Sequence, residues 1–175
     1  GVNEGLPHSS VYSILQDKKG FMWFGTADGL CRYDGSELKT FQYTPVNNEE
    51  EASNFVRGKM LEDVSGNIWY CNQTGIYKWD NIKEVVSRAK TFDKSEFANG
   101  AFQSVYLENG SLWIYNVSLG IFEYNILTGK MLRYPLPYNP DFSTSIANYD
   151  KVDPFGNIWL RLGLTSNPFI VFNYR

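Results

Sequence analysis

Short apolar stretches separated by turn residues form the dominant pattern along the chain. Near the beginning they predict four strands, over Ser9–Gln16, Phe21–Thr26, Leu30–Asp34 and Leu38–Tyr43. Asp17–Gly20 forms a turn after the first of these, and Ala27-Asp28-Gly29 is a hairpin loop after the second. Met22, Trp23 and Phe24 are consecutive, so neither face of the second strand is polar. Because strand side chains alternate between two faces, this predicts a sheet packed on both sides.

The same pattern recurs three more times. Glycines at positions 20, 66, 110 and 156 are each followed three residues later by a tryptophan, and their spacings are 46, 44 and 46 residues. The tryptophans are Trp23, Trp69, Trp113 and Trp159. A period of roughly 40–50 residues with several strands per unit is typical of β-propeller blades.

The predicted fold class is therefore all-β, a partial β-propeller of about four blades with four antiparallel strands each. We expect one domain over residues 1–175, with blades at about 8–45, 53–93, 100–136 and 146–175. The last blade is incomplete, since only Arg175 follows Tyr174 where an outer strand would be needed. An open array exposes blade faces, so we expect a fragment of a longer propeller that self-associates as a homodimer, rather than a closed four-blade ring.

The repeated residues are interpreted as structural. Each tryptophan is expected to be an apolar spacer between blades, each glycine to allow a tight turn, and each aspartate to accept N–H groups of that turn. One segment, Asn81–Lys90, could form two helical turns or a connection between strands. We favour the connection.

Composition argues against nucleic acid binding, a membrane-spanning segment and a disulfide framework. Aromatic residues make up 17% of the chain, and the net charge is −3 without a long run of one sign, so nucleic acid contact is not expected. No apolar stretch approaches the ~18 residues that span a bilayer. Cys31 and Cys71 fall at non-equivalent repeat positions, and we expect two buried thiols rather than a disulfide.

Candidate chemistry is sparse. His8 is the single histidine, and we expect it to cap a local turn. No motif indicates a metal site or a cofactor, and we assign no catalytic residue. The carboxylates Glu49–Glu51 and Glu62–Asp63 could serve a glycosidase, but we interpret the first as a solvated loop and Asp63 as a turn residue. A fragment of a propeller glycosidase or lyase is the alternative function.

Side chains at irregular positions of the repeat are the remaining candidates for ligand contact. Tyr138, Tyr149 and Arg161 are of this kind, and aromatic rings could stack on sugars. Loop variation is the better explanation of such positions, so we assign none of them and the ligand-binding residues stay unknown.

The stretches Gly5–Asp17 and Trp23–Gly35 resemble the two-component-regulator propeller repeat. The second unit keeps the Asp–Gly–Trp core but has Tyr70-Cys71-Asn72 in place of Gly-Thr, and the last two units are more degenerate. The repeat occurs in the periplasmic sensor regions of Bacteroidetes-type hybrid two-component systems.

The resemblance implies the periplasmic part of an inner-membrane protein that senses glycan fragments and controls polysaccharide-utilisation genes. The histidine kinase would lie outside this chain, which would itself be a non-catalytic sensor or scaffold. Its implied partners are the remaining blades of the propeller and an oligosaccharide bound by the intact sensor.

Overall fold

The computed structural model describes residues 5–45, 53–93, 102–116, 119–134, 148–152, 155, 157–161 and 169–173. Within these residues the chain forms fifteen strands. They are β1 (Val11–Gln16), β2 (Met22–Thr26), β3 (Gly29–Tyr33), β4 (Leu38–Phe41), β5 (Leu61–Glu62), β6 (Ile68–Asn72), β7 (Gly75–Asp80), β8 (Val85–Thr91), β9 (Phe102–Glu108), β10 (Ser111–Asn116), β11 (Gly120–Asn125), β12 (Met131–Tyr134), β13 (Asn148–Val152), β14 (Asn157–Arg161) and β15 (Phe169–Asn173).

The strands pair only with their sequence neighbours, antiparallel, in four sheets. Sheets one, two and three are β1–β4, β5–β8 and β9–β12, and each has four strands in chain order. In sheet four the described residues form three strands, β13, β14 and β15. This confirms the predicted array of four-stranded antiparallel blades in the first three sheets.

The four strands predicted for the first unit are all present, and their ends differ from the prediction by at most two residues. Strand β1, for example, begins at Val11 rather than Ser9. The predicted hairpin between β2 and β3 is tight, because Thr26 pairs directly with Gly29. The register between β1 and β2 shifts between Val11 and Ser13, which places a bulge at the start of the blade.

The prediction for Asn81–Lys90 was wrong over most of its length. Only 81–84 is a turn, and β8 occupies the rest as the outer strand of sheet two. Val85 pairs with Asp80, and Val86 pairs with Trp79. The β-branched pair Val85–Val86 suits an extended strand, and pairing with β7 supplies backbone hydrogen bonds that the isolated segment lacks.

The core lies between the sheets, and β6 shows how one blade serves two junctions. Ile68 and Tyr70 belong to the apolar cluster shared with sheet one, whereas Trp69 and Cys71 belong to the cluster shared with sheet three. All five residues of β6 are buried. Packing on both faces is thus confirmed for sheet two, where alternate residues of one strand belong to different clusters. Sheet one, whose second strand led to the prediction, is covered by sheet two on one face, and Ile14 on its other face is exposed.

The tryptophans have the predicted spacer role at the described junctions. Trp23 of sheet one meets Trp79 of sheet two edge-on, with ring centroids 4.5 Å apart. Trp69 faces Tyr124 of sheet three at 6.4 Å. Edge-to-face contacts of this kind add to the stabilisation from area burial alone.

Candidate functional site

The turn at Asp63 shows what the repeat residues do. Asp63 Oδ1 accepts the backbone N–H groups of Ser65 and Asn67, each at 2.9 Å. Its Oδ2 accepts the Asn67 side-chain amide and the Trp69 indole N–H, each at 2.8 Å. The predicted turn role of this carboxylate is confirmed, and all four of its bonds are structural.

The first unit repeats the arrangement. Asp17 Oδ1 accepts the N–H groups of Lys19 and Phe21, and Oδ2 accepts the Trp23 indole N–H at 2.8 Å. The bond from carboxylate to indole was not predicted. The sequence does contain a pattern that could have predicted this bond: in three of the four units an aspartate lies six residues before the tryptophan. In the third unit Leu107 occupies that position.

Three buried polar residues, Thr26, Asn72 and Asn116, were also missed. Each lies three residues after the tryptophan and ends the second strand of its blade. Thr26 donates to the carbonyl of Gly29, whereas Asn72 and Asn116 accept N–H groups of the following hairpin. The Asn72 amide also donates to the carbonyls of Ser53 and Phe55 in the connection between sheets one and two. Because these buried polar groups have structural partners, burial does not mark them as ligand-binding residues.

A charged cluster joins sheets one and two. Glu84 accepts the Arg32 guanidinium at 2.9 Å and also bonds the Lys39 ammonium. Lys39 and then Arg32 hold the pKa of the Glu84 carboxyl below its usual value. The Arg32 guanidinium lies 4.9–5.8 Å from the centres of four aromatic rings, those of Phe21, Trp23, Phe41 and Trp79. An ion pair and cation–π contacts therefore hold Arg32 in the junction between sheets one and two.

The array has two distinct ends. Antiparallel order places the turns after the first and third strands of each blade at one end, which we call the turn end. The hairpins after each second strand lie at the opposite end, which we call the loop end. Adjacent blades share this orientation, because Lys18 N–H bonds Glu62 and the Lys19 ammonium bonds Asn81, at 2.9 and 2.8 Å. The Asp–Trp turns thus occupy the turn end.

At the loop end, four residues form what we call the loop-end surface: Tyr12, Phe55, Arg57 and Gln73. The rings of Tyr12 and Phe55 meet edge to face at 4.9 Å, and Tyr12 is 45% exposed. Arg57 and Gln73 are exposed and border a small cavity of about 30 Å³ together with Phe55. An accessible ring can pack on the face of a sugar, and planar polar side chains at the same end of the array can bond hydroxyl groups.

A larger cavity of about 490 Å³ lies at the outer side of the junction between sheets two and three. We call it the rim groove. Its lining residues on the side of sheet two are Lys90, Thr91 and Asp93. On the side of sheet three they are Leu119, Phe122, Met131, Leu132 and Arg133. Arg133 Nε donates to the carbonyl of Leu119 at 2.9 Å, which fixes this arginine against the hairpin.

Of the three residues suggested by irregularities in the repeat, the structure describes the backbone positions of two. Tyr138 lies outside the described residues. Tyr149 and Arg161 lie on the paired strands β13 and β14, where Tyr149 pairs with Leu160, the residue next to Arg161. Their side chains are outside the described part of the chain, so a role in ligand contact stays a prediction.

Among the described residues, the carboxylates considered for glycosidase chemistry do not form a catalytic pair. Glu49–Glu51 lies outside the described residues. Glu62 accepts the backbone N–H of Lys18, and Asp63 is 5% exposed with both oxygens engaged in its turn. Such fixed bonds leave Asp63 unsuited to proton transfer.

His8 and the cysteines behave as predicted. His8 Nδ1 accepts the N–H of Ser10 at 2.9 Å and so caps a local turn. Cys31 and Cys71 are buried thiols that form no disulfide, and burial raises the pKa of Cys31. In the ranges that the structure describes, no cluster of three or more histidine, cysteine or acidic side chains could hold a metal ion. A search of the same ranges finds no helix with the length and hydropathy needed to cross a membrane.

Sheets that meander in strand order, face one another through apolar clusters and share one turn geometry are blades of a β-propeller. Comparison with known proteins adds the family of the repeat. Residues 5–28 match the family described as two component regulator propeller. The chain therefore carries a two-component-regulator propeller repeat, in the unit where the sequence resembles it most closely.

A stretch of 42 residues is 48% identical to Histidine kinase P4 of Formosa agariphila, covering 24% of this chain and 3% of that protein. Two extracellular domains of hybrid two-component systems from B. thetaiotaomicron share the fold. The first has a TM-score of 0.67 at 20% identity, covering 99% of this chain and 26% of that one. The second has a TM-score of 0.70 at 23% identity, covering 96% and 22%.

The computationally designed Ika4 protein also shares the fold, with a TM-score of 0.63 at 13% identity, covering 96% of this chain and 93% of that one. The chain thus spans about a quarter or less of the bacterial sensor domains. Its length is close to that of the designed protein.

Proposed function

We propose that this chain is a non-catalytic part of the periplasmic sensor region of a hybrid two-component protein anchored in the inner membrane. The match of residues 5–28 to the two-component-regulator repeat carries the proposal. The shared fold of bacterial extracellular sensor domains over nearly the whole chain supports it. Kinase activity and gene control would belong to other parts of the protein.

The proposed ligand is a glycan fragment released from a polysaccharide, and the intact sensor would control genes for the use of that polysaccharide. The loop-end surface supports this ligand class, because Tyr12 presents an exposed ring against Phe55. Arg57 and Gln73 border the small cavity next to Phe55 and supply hydrogen-bond donors. The turn end is less suited to a glycan, because its repeated aspartates already accept hydrogen bonds from backbone and indole N–H groups.

Calorimetry on the intact sensor region with a panel of plant and host oligosaccharides tests the proposal. We expect one glycan class to bind, and we expect Tyr12→Ala and Gln73→Ala to weaken binding at least tenfold. Tyr33→Ala is the matched control, because Tyr33 is an exposed tyrosine whose hydroxyl bonds the Gly35 carbonyl at the turn end. Absence of glycan binding would refute the ligand class. Hydrolysis abolished by one carboxylate substitution would favour the glycosidase alternative.

Two exposed blade faces support packing against further blades or a second copy of the chain. On sheet one, Ile14 is cross-strand to Phe24, on the face turned away from sheet two, and is 63% exposed. On sheet four, Trp159 is 36% exposed, whereas Trp69 of sheet two is 4% exposed. In the full protein we propose that the remaining blades cover these faces, and that the isolated chain forms a homodimer through them.

Light scattering on the isolated chain tests the homodimer. We expect a dimer mass, and we expect Ile14→Asp to produce a monomer. Val64→Asp is the control, because Val64 is 96% exposed in a turn-end loop away from the blade face. A wild-type monomer that melts cooperatively would refute the open array and favour a closed ring of four blades.

A further inference from the structure

One kind of aromatic pair recurs at the junctions between the first three sheets. At the first junction the Trp23 ring of sheet one meets the Trp79 ring of sheet two, with centroids 4.5 Å apart. At the second junction Trp69 of sheet two faces Tyr124 of sheet three at 6.4 Å. Each pair joins the tryptophan on the second strand of one blade to an aromatic residue on the third strand of the next. All four rings are buried.

The strand register shows that sheet one has the same third-strand aromatic position. In each of the first three sheets, the residue that pairs with the position directly before the tryptophan is aromatic. These residues are Tyr33, Trp79 and Tyr124. Because neighbouring residues of a strand point to opposite faces, this residue and the tryptophan of its blade serve opposite faces. A blade therefore offers a tryptophan to the following blade and another aromatic ring to the preceding one.

Two members of this pattern are exposed. Tyr33 lies on the face of sheet one that is turned away from sheet two, and it is 36% exposed. Trp159 of sheet four is exposed to the same extent, although Trp23, Trp69 and Trp113 are all buried. One exposed tryptophan and one exposed third-strand aromatic residue are the two halves of one further junction pair.

The face of sheet one around Tyr33 has the composition of a blade junction. Four apolar residues lie on it: Ile14, Met22, Phe24 and Tyr33. Counted from the tryptophan of each unit, the same positions in sheet two are Met60, Ile68, Tyr70 and Trp79. All of these belong to the buried cluster between sheets one and two. An apolar face with the residues of a buried junction is suited to a protein surface that covers it.

We propose that this face of one copy of the chain binds the face of sheet four that carries Trp159 in a second copy. Trp159 then packs on Tyr33 as Trp23 packs on Trp79. The occupant is the chain itself, because both halves of the pair are exposed on it. This contact rests on the homodimer proposed above and gives it a geometry. Since the two faces differ, the contact is head to tail. Two copies that form it twice close a ring of about eight blades, within the range of known propellers.

Analytical ultracentrifugation of the whole chain tests the arrangement with two variants. Tyr33→Asp and Trp159→Asp each change one side of both contacts, so each variant alone should dimerise about thirtyfold more weakly than the wild type. Mixing the two variants in equal amounts should restore dimers, because one contact then joins an unmodified Trp159 to an unmodified Tyr33. Ile82→Asp is the control and should leave the dimer unchanged, since Ile82 is exposed in a turn outside both faces.

Three results would overturn the proposal, and they separate it from the other proposals. A dimer that survives Trp159→Asp but not Tyr33→Asp would keep the homodimer and assign it to two sheet-one faces. Mixed variants that stay monomeric, although circular dichroism shows both to be folded, would exclude the head-to-tail contact. A monomeric wild-type chain would refute the homodimer as well. Glycan binding by the intact sensor is measured separately, so these results leave the ligand class unaffected.

Discussion

Replacing Asp63 by asparagine tests how the Asp–Trp turn holds a blade. The substitution keeps the size of the side chain but exchanges one acceptor oxygen for an NH₂ group. In the wild-type chain all four groups that contact the two oxygens are donors, including the indole of Trp69. Either orientation of the new amide therefore sets its NH₂ against two donors. Asn67 cannot rotate its own amide without cost, because its Oδ1 accepts the N–H of Asn81.

The expected loss follows from the bonds removed. Hydrogen bonds to a charged acceptor are worth about 1.5–3 kcal/mol each, and Asp63 is 5% exposed, so water replaces them poorly. Two lost bonds with some relaxation predict a decrease of about 3 kcal/mol in the free energy of unfolding. For a chain of this size that lowers Tm by roughly 6–12 °C.

Urea and thermal unfolding, followed by tryptophan fluorescence, measure the effect. Asp17→Asn should cost about half as much, because Oδ2 of this half-buried residue accepts only the Trp23 indole. Asp28→Asn is the control, at an exposed hairpin position. The reasoning is refuted if Asp63→Asn unfolds like Asp28→Asn, or if it costs no more than Asp17→Asn.

Three further predictions concern strand contacts and charge. Gly75→Ala should reduce stability by at least about 2 kcal/mol in urea unfolding, because a Cβ would lie 2.1 Å from a carbonyl oxygen of β8. Gly35→Ala is the comparison variant: Gly35 also has a positive φ, which strains an alanine, but the space around its Cβ position is open, so the substitution should cost clearly less. Glu84→Gln should cost about 0.5–1 kcal/mol at low salt and nothing measurable in concentrated NaCl; an effect independent of salt contradicts the ion-pair account. Asp80 has its pKa lowered to about 2, first by the backbone N–H of Lys83 and then by the Lys78 side chain. Because the pKa of Asp80 is lower in the folded chain than in the unfolded chain, ionised Asp80 stabilises the fold above pH 3.8, and this stabilisation is lost as pH falls toward 2. Asp80→Asn should therefore make the free energy of unfolding depend less on pH between 3.8 and 2, and an unchanged pH dependence would contradict this.

The residues of the candidate surfaces could be predicted only in part from the sequence. Irregular repeat positions pointed to Tyr138, Tyr149 and Arg161, whereas the described candidate surfaces contain Tyr12 and Arg133, which lie in ordinary strands. Tyr12 looks like any strand tyrosine until Phe55, from the connection to the next blade, packs against it. Similarly, Arg32 resembles any other strand arginine in the sequence, and only the tertiary structure shows that Glu84 of the next sheet bonds it.

The sequence by itself determined the blade number, the strand order and the turn chemistry. Those features depend on short-range spacing: Gly to Trp, Asp to Trp, and apolar residues on both faces of a strand, as at Met22–Phe24. The tertiary structure alone decided that β8 is a strand, that Glu84 pairs with Arg32 at one junction, and that the rim groove lies at the next. These depend on which side chains meet across blades, between residues dozens of positions apart, where loop geometry and packing, not local preference, set the contact.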